Sequence, residues 1–157
     1  MTVGEFVTIA EDIGMGVGWY HFEGRIPDVT LQCIRYLRRA YPSVGISVEV
    51  EKPGRAGLEE LAAEADVVFY SKSWAVERGY EDAASCLKAQ ADVAKRATIG
   101  AGDTFIAGIL YGLLWRGDDW DMVRKLAFAN ELASRKICRE GFGGLGDTMR
   151  TYGFNPP

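Results

Sequence analysis

Apolar and polar positions alternate most clearly over Gly45–Glu51, with Ile46, Val48 and Val50 on one face and Ser47, Glu49 and Glu51 on the other. That period of two predicts a strand with one buried face. An aromatic and branched run, Val17–Phe22, predicts an earlier strand that closes at Glu23-Gly24-Arg25. Between them, Pro27-Asp28 opens a helix in which Val29, Cys33, Leu37 and Tyr41 recur every fourth residue, until Pro42 ends it. Leu58–Ala65 predicts a short helix, and Asp66–Tyr70 a compact apolar strand of the kind buried in a parallel sheet. One or two helical turns over Ser73–Arg78 and a helix over Glu81–Arg96 follow, the latter acidic at its start and basic at its end.

From Asp103 onward the pattern is almost all helical. Phe105–Trp115 is apolar all round, which predicts a core helix, and Gly108 and Gly112 leave room for a close neighbour. A last long helix begins at Asp118-Asp119, with Val123, Leu126, Ala127, Ala133 and Ile137 as its expected inward stripe and Asn130 within it. Gly141-Phe142-Gly143-Gly144 stops that helix, and a loose tail is expected beyond. Strands alternating with helices predict an α/β fold with a parallel sheet and right-handed crossovers. The organisation expected is a poorly defined segment over 1–16, a domain over 17–145 and a tail over 146–157.

Composition narrows the function classes. The chain has 157 residues and a net charge of −4, with Lys and Arg scattered, which argues against nucleic acid as the main partner. The apolar stretch ending at Trp115 is too short to cross a bilayer, and residues 1–18 carry Glu5, Glu11 and Asp12 without a cation, unlike a secretory leader. Cys33, Cys86 and Cys138 are far apart with no CxxC pair, so neither a disulfide framework nor a zinc cage is expected, and a reducing cytoplasm fits. No lysine follows a glycine, which excludes a Walker A loop, and His21 alone excludes HExxH and multi-histidine metal sites. Gly141, Gly143 and Gly146 match G-x-G-x-x-G, but after a helix instead of the strand that a dinucleotide loop needs.

The segment with chemistry in it is Thr98-Ile99-Gly100-Ala101-Gly102-Asp103-Thr104-Phe105. Three small residues at a helix start leave the first amides uncovered at the positive end of the helix dipole, a setting suited to phosphate. Asp103 there reads two ways from its type and place. It is the N-cap of a core helix, or it is a base that takes a proton from an attacking group. Asn130 is likewise either an internally bonded core amide or a ligand contact. Glu49 and Glu51 read as solvated carboxylates, Arg25 as a surface cation, His21 as a core or rim histidine, and Trp74, Trp115 and Trp120 as packing groups.

Gly100–Phe105 followed by Ala107-Gly108 resembles the second signature of the ribokinase/PfkB sugar-kinase family. His21–Arg25, Ser47–Pro53, Asp66–Phe69 with Ser71-Lys72, and Gly141-Phe142 resemble further stretches of that family in the same order, closest to its ketose-phosphorylating branch. The resemblance implies a partial three-layer ribokinase-like fold and ATP and Mg²⁺ as cofactors. It further implies a small sugar as substrate, Gly100, Ala101 and Gly102 as the anion hole, Asp103 as the base and Asn130 beside the adenine. Three departures accompany it: the family's N-terminal half with its sugar-binding residues and lid is not matched, Lys95-Arg96-Ala97 runs directly into the turn where the family has further strands, and Ala97 stands where the family has a polar residue. Ser71-Lys72-Ser73-Trp74 also lacks the carboxylate of the family's metal-water pattern. Two functions stay open on this reading. One is an ATP-dependent sugar kinase; the other is a non-catalytic fragment that binds nucleotide or a protein partner. Self-association through exposed sheet edges is expected in either case.

Overall fold

The computed structural model describes residues 1–91, 97–99, 102–138, 141–151 and 154. They fall into two compact units, 1–99 and 100–157.

The first unit is built on a four-stranded, all-parallel sheet in the order β1-β2-β3-β4, from Trp19–Glu23, Gly45–Val50, Val67–Tyr70 and Ala97–Ile99. The α/β expectation holds, and the first three strands stand where the patterning put them. Helices α1 (Val3–Ile13), α2 (Pro27–Ala40), α3 (Leu58–Ala63), α4 (Lys72–Glu77) and α5 (Ala83–Gln90) accompany the sheet. On one sheet face Phe22, Ile46, Val48, Val50, Val68 and Tyr70 are buried with Cys33, Ile34 and Leu37 of α2 and Leu58 and Leu61 of α3. At about 1.5–3 kcal/mol for each large side chain removed from water, this one face supplies the main stabilisation of the unit.

Asp66 sets how β2 and β3 meet. Its carboxylate accepts from the Ile46 amide at 2.9 Å and from Arg38 Nη2 at 2.9 Å, and Arg38 also donates to the carbonyls of Val44 and Glu64. The segment over 1–16, expected to be poorly defined, carries α1. Thr2 and Glu5 form a reciprocal capping box, and Phe6 and Ala10 are buried, with the Phe6 ring 5.9 Å from Tyr20 and 5.7 Å from Phe22. The expected Glu81–Arg96 helix is observed as α5, starting on an Asp82–Ser85 capping box, and 92–96 lie outside the described residues.

The second unit consists of α6 (Gly102–Trp115), α7 (Met122–Ile137) and α8 (Leu145–Thr151). The room predicted at Gly108 and Gly112 is used. A β-carbon on Gly108 would stand 2.7 Å from Ala129 Cα, and one on Gly112 would stand 2.8 Å from Lys125 Cγ. The paired numbers run in opposite directions, so α6 and α7 are antiparallel. Two expectations need correction. Only Phe105, Ile106, Gly108, Ile109 and Gly112 of α6 are buried, while Trp115 is 66% exposed, so the helix is not enclosed all round. The inward face of α7 is Lys125, Phe128 and Ala129, whereas Val123 and Ile137 are 74% and 84% exposed. The reason is Lys125. Its stem lies on Gly112 while its ammonium donates to the Gly117 carbonyl, so an amphipathic side chain takes a core position that a polar–apolar count gives to solvent. The tail also begins as a helix, since Leu145 and Met149 of α8 are buried and Met149 packs with Trp120 and Phe128.

These contacts predict opposite outcomes for one substitution at two helical glycines. Gly108→Ala should destabilise by about 1–3 kcal/mol, because the new methyl group meets the α7 backbone and outweighs a helix-propensity gain of about 1 kcal/mol. Gly4→Ala, with open space around Gly4 in α1, should stabilise by up to about 1 kcal/mol. Urea unfolding of the two variants checks both signs.

Candidate active site

The Gly-Ala-Gly-Asp turn joins β4 to α6. Here the structure corrects the sequence reading, which ran a helix directly into the turn. Residues 97–99 form a strand, with Val68 opposite Ala97, Phe69 opposite Thr98 and Tyr70 opposite Ile99. Ile99 is thus the carboxyl end of a parallel strand, and Gly100–Asp103 follow it in the sequence. Gly100 and Ala101 lie outside the described residues.

Gly102 opens α6 with φ at +78°, a left-handed conformation that costs an L-residue about 1–2 kcal/mol. Nothing described lies within 4 Å of where its β-carbon would be, so conformation rather than space makes glycine necessary there. Asp103 is exposed in the first turn of α6, after that glycine, so it sits inside the helix instead of at its cap. No hydrogen bond or ion pair engages its carboxylate among the described residues. Asp82 and Asp121, at the starts of α5 and α7, behave differently. Each accepts from its own helix, from the Ser85 amide at 2.7 Å and the Arg124 amide at 2.7 Å, and the Ser85 bonds hold the Asp82 carboxyl below its usual range. Asp103 thus has the dipole of a helix start around it and, among the described residues, no bond.

The remaining candidates separate. Asn130 is exposed on α7, which removes the core-amide alternative. Gly141 and Gly144 take φ of +68° each, in the connection between α7 and α8, so the G-x-G-x-x-G match has a helix before it, as its sequence context indicated. Ser71 caps α4, accepting from the Trp74 amide at 3.0 Å and donating to the Glu51 carbonyl, which ties the carboxyl ends of β2 and β3 together. Arg25 is exposed and pairs with Glu23 at 3.0 Å. Trp74 and Trp120 are buried as packing groups, but Trp115 is not. Burial pushes the Cys33 and Cys86 thiols above their usual range, so neither is an activated nucleophile. Among the described residues no three His, Cys, Asp or Glu side chains gather as a metal cage, and no helix is long and apolar enough to cross a membrane.

Sequence reasoning missed one constellation. On the second face of the sheet, Trp19 Nε1 donates to Ser47 Oγ at 2.9 Å, Ser47 Oγ lies 2.8 Å from His21 Nδ1, and His21 Nε2 lies 2.9 Å from Glu49 Oε1. The self-consistent pattern has Ser47 donating to Nδ1 and Nε2–H donating to Glu49. Glu49 is therefore not the solvated carboxylate expected, and His21, edge-on to Phe69 at 5.9 Å, has both ring nitrogens engaged. The set resembles a hydrolytic triad in composition only. Ser47 is 0% exposed and its oxygen already accepts from Trp19, so no substrate carbonyl can reach it. The register His21–Ser47 and the i, i+2 spacing of Ser47 and Glu49 were the available signals.

Residues 73–147 match the family model described as pfkB family carbohydrate kinase. Ketohexokinase from Mus musculus is 26% identical over 167 aligned residues, which cover 81% of this chain and 55% of the mouse protein. The resemblance to PfkB carbohydrate kinases holds. This chain spans about half the length of the curated relative it matches, and the matched region contains the turn, Asp103 and Asn130.

Ser47→Ala would leave the Trp19 indole N–H and His21 Nδ1 without their shared partner. The expected loss is about 1–3 kcal/mol of stability, read by denaturant unfolding.

Proposed function

We propose that this chain carries the phosphoryl-transfer part of an ATP-dependent carbohydrate kinase, with the primary hydroxyl of a ketose such as fructose as acceptor. The observation that supports it is Asp103: an exposed carboxylate in the first turn of α6, one residue after a left-handed glycine, with no bond among the described residues. In this reading the backbone amides of Gly100, Ala101 and Gly102 face the transferring phosphoryl group and stabilise the charge that develops on it. Asp103 accepts the proton of the sugar hydroxyl as the oxygen–phosphorus bond forms and the bond to the ADP leaving oxygen breaks. The exposed amide of Asn130 contacts the nucleotide base. Magnesium would come with the nucleotide phosphates, as that ion commonly does. The described side chains offer it no cage, and no step is assigned to it. Buried reduced thiols at Cys33 and Cys86 favour a cytoplasmic setting.

The 55% span of the mouse relative favours a second reading, in which the chain by itself binds nucleotide or a protein partner without turnover. A coupled ADP-release assay on residues 1–157 with ATP, magnesium and fructose separates the two. Turnover at about 1–100 s⁻¹ supports the kinase in this form, and background rates with measurable ATP binding support the second.

In any form that turns over sugar, Asp103→Asn should lower kcat by about 10²–10⁴ while the KM for ATP changes little. A near-normal kcat in that variant would remove Asp103 from the chemistry.

A further inference from the structure

We propose that Glu49 is a ligand-binding carboxylate whose Oε2 accepts a ligand hydroxyl, with Trp19, Ser47 and His21 as the positioning residues that aim it. The direction of the hydrogen bonds is the ground for this. An indole N–H can only donate, so Trp19 makes Ser47 Oγ an acceptor and leaves the Ser47 hydroxyl hydrogen for His21 Nδ1. His21 then carries its own hydrogen on Nε2 and gives it to Glu49 Oε1 at 2.9 Å. Every bond runs the same way, from Trp19 to Glu49, and bonds in such a series polarise one another.

The series ends on a group with capacity left over. A carboxylate offers about four acceptor sites. Among the described residues Glu49 fills one of them, and Oε2 has no partner. No Lys or Arg pairs with Glu49 there, and Glu23, opposite it in register, spends its charge on Arg25 at 3.0 Å. The Glu49 side chain is 16% exposed: mostly buried, yet open on one side. An acceptor in that position is costly to leave empty, and a buried polar group without a partner calls for one. Glu49 also stands one residue before the end of β2, at the carboxyl edge where parallel α/β sheets take their ligands.

A hydroxyl is the group that meets this demand. It supplies one donor and no charge, and it can come from a free sugar or from the ribose of a nucleoside. The inference concerns the first unit alone, so it stands or falls independently of Asp103 and of turnover.

His21 is the chain's single histidine, so its ring signals report on this site alone. Proton–nitrogen NMR of residues 1–157 should show the Nε2–H tautomer with Nδ1 as acceptor. Titration with fructose, and separately with adenosine, should move those signals saturably in at least one case, and the ligand that does so names the source of the hydroxyl. Glu49→Gln should weaken that response about 10–100-fold, the worth of a hydrogen bond to a charged group. Should that variant fail to fold, Gly45→Ala tests the series from its other end. A β-carbon at Gly45 would overlap the Trp19 ring, so the indole leaves Ser47, the His21 tautomer is freed and the response weakens with Glu49 still in place. Magnesium chloride alone should leave the His21 signals unmoved. The proposal is overturned by a response to magnesium and to neither hydroxyl ligand, by no response at all, by an Nδ1–H tautomer, or by an equal response in Glu49→Gln.

Discussion

Where β3 begins, the Asp66 amide donates to the Ile46 carbonyl while the Asp66 carboxylate accepts from the Ile46 amide, each at 2.9 Å. Arg38 of α2 holds the same carboxylate, so a strand entry, its neighbour strand and the covering helix meet at one group. This pin matters because β2 is two-faced. Sliding its pairing by one residue would carry Ile46, Val48 and Val50 out of the helical core and turn Ser47 and Glu49 into it. An unpaired carboxylate in that core costs far more than any one apolar contact returns. The polar chain on the other face has the same dependence, since His21 reaches Ser47 and Glu49 only while His21 stays opposite Ser47. Register at β2 thus fixes both the apolar face and the polar face of the sheet.

Strands and helices whose own side chains repeat with the right period were legible in the chain. β2 shows it by alternation and α2 by Cys33 and Leu37, both buried as their spacing implied. What escaped was set by partners distant in sequence. β4 is three residues, Ala97–Ile99, with no period of its own, and it is a strand only because β3 offers it a ladder. α1 carries its signals in Thr2 and Glu5 at capping-box spacing and in Phe6 and Ala10 four apart, but the exposed Ile9 and Ile13 blur the apolar face. The α7 stripe came out with its faces misplaced because Lys125 looks polar in a count while its methylenes pack on a glycine. The site divides in the same way. The Gly-Ala-Gly-Asp turn could be read from residue type and resemblance. The Trp19–Ser47–His21–Glu49 chain required the register of two strands.

Helix starts in this protein offer an internal comparison for Asp103. Thr2, Ser71, Asp82 and Asp121 precede α1, α4, α5 and α7, and the side chain of each accepts from an amide of the first turn. Those helices meet their own unsatisfied donors locally. α3 lacks such a side chain and begins after Gly57 at φ +85°, but Pro27 Cβ lies 3.2 Å from where a β-carbon would stand and Asp28 Oδ1 lies 3.6 Å away, so its start is packed against α2. α6 also begins on a left-handed glycine, yet open space surrounds Gly102 among the described residues, and the adjacent carboxylate bonds to nothing there. α2 likewise begins without a side-chain cap, on Pro27, which has no amide N–H to satisfy at that position. In the proposed reading the first amides of α6 serve an anion and the Asp103 carboxylate beside them a proton, the pairing that phosphoryl transfer to a hydroxyl requires.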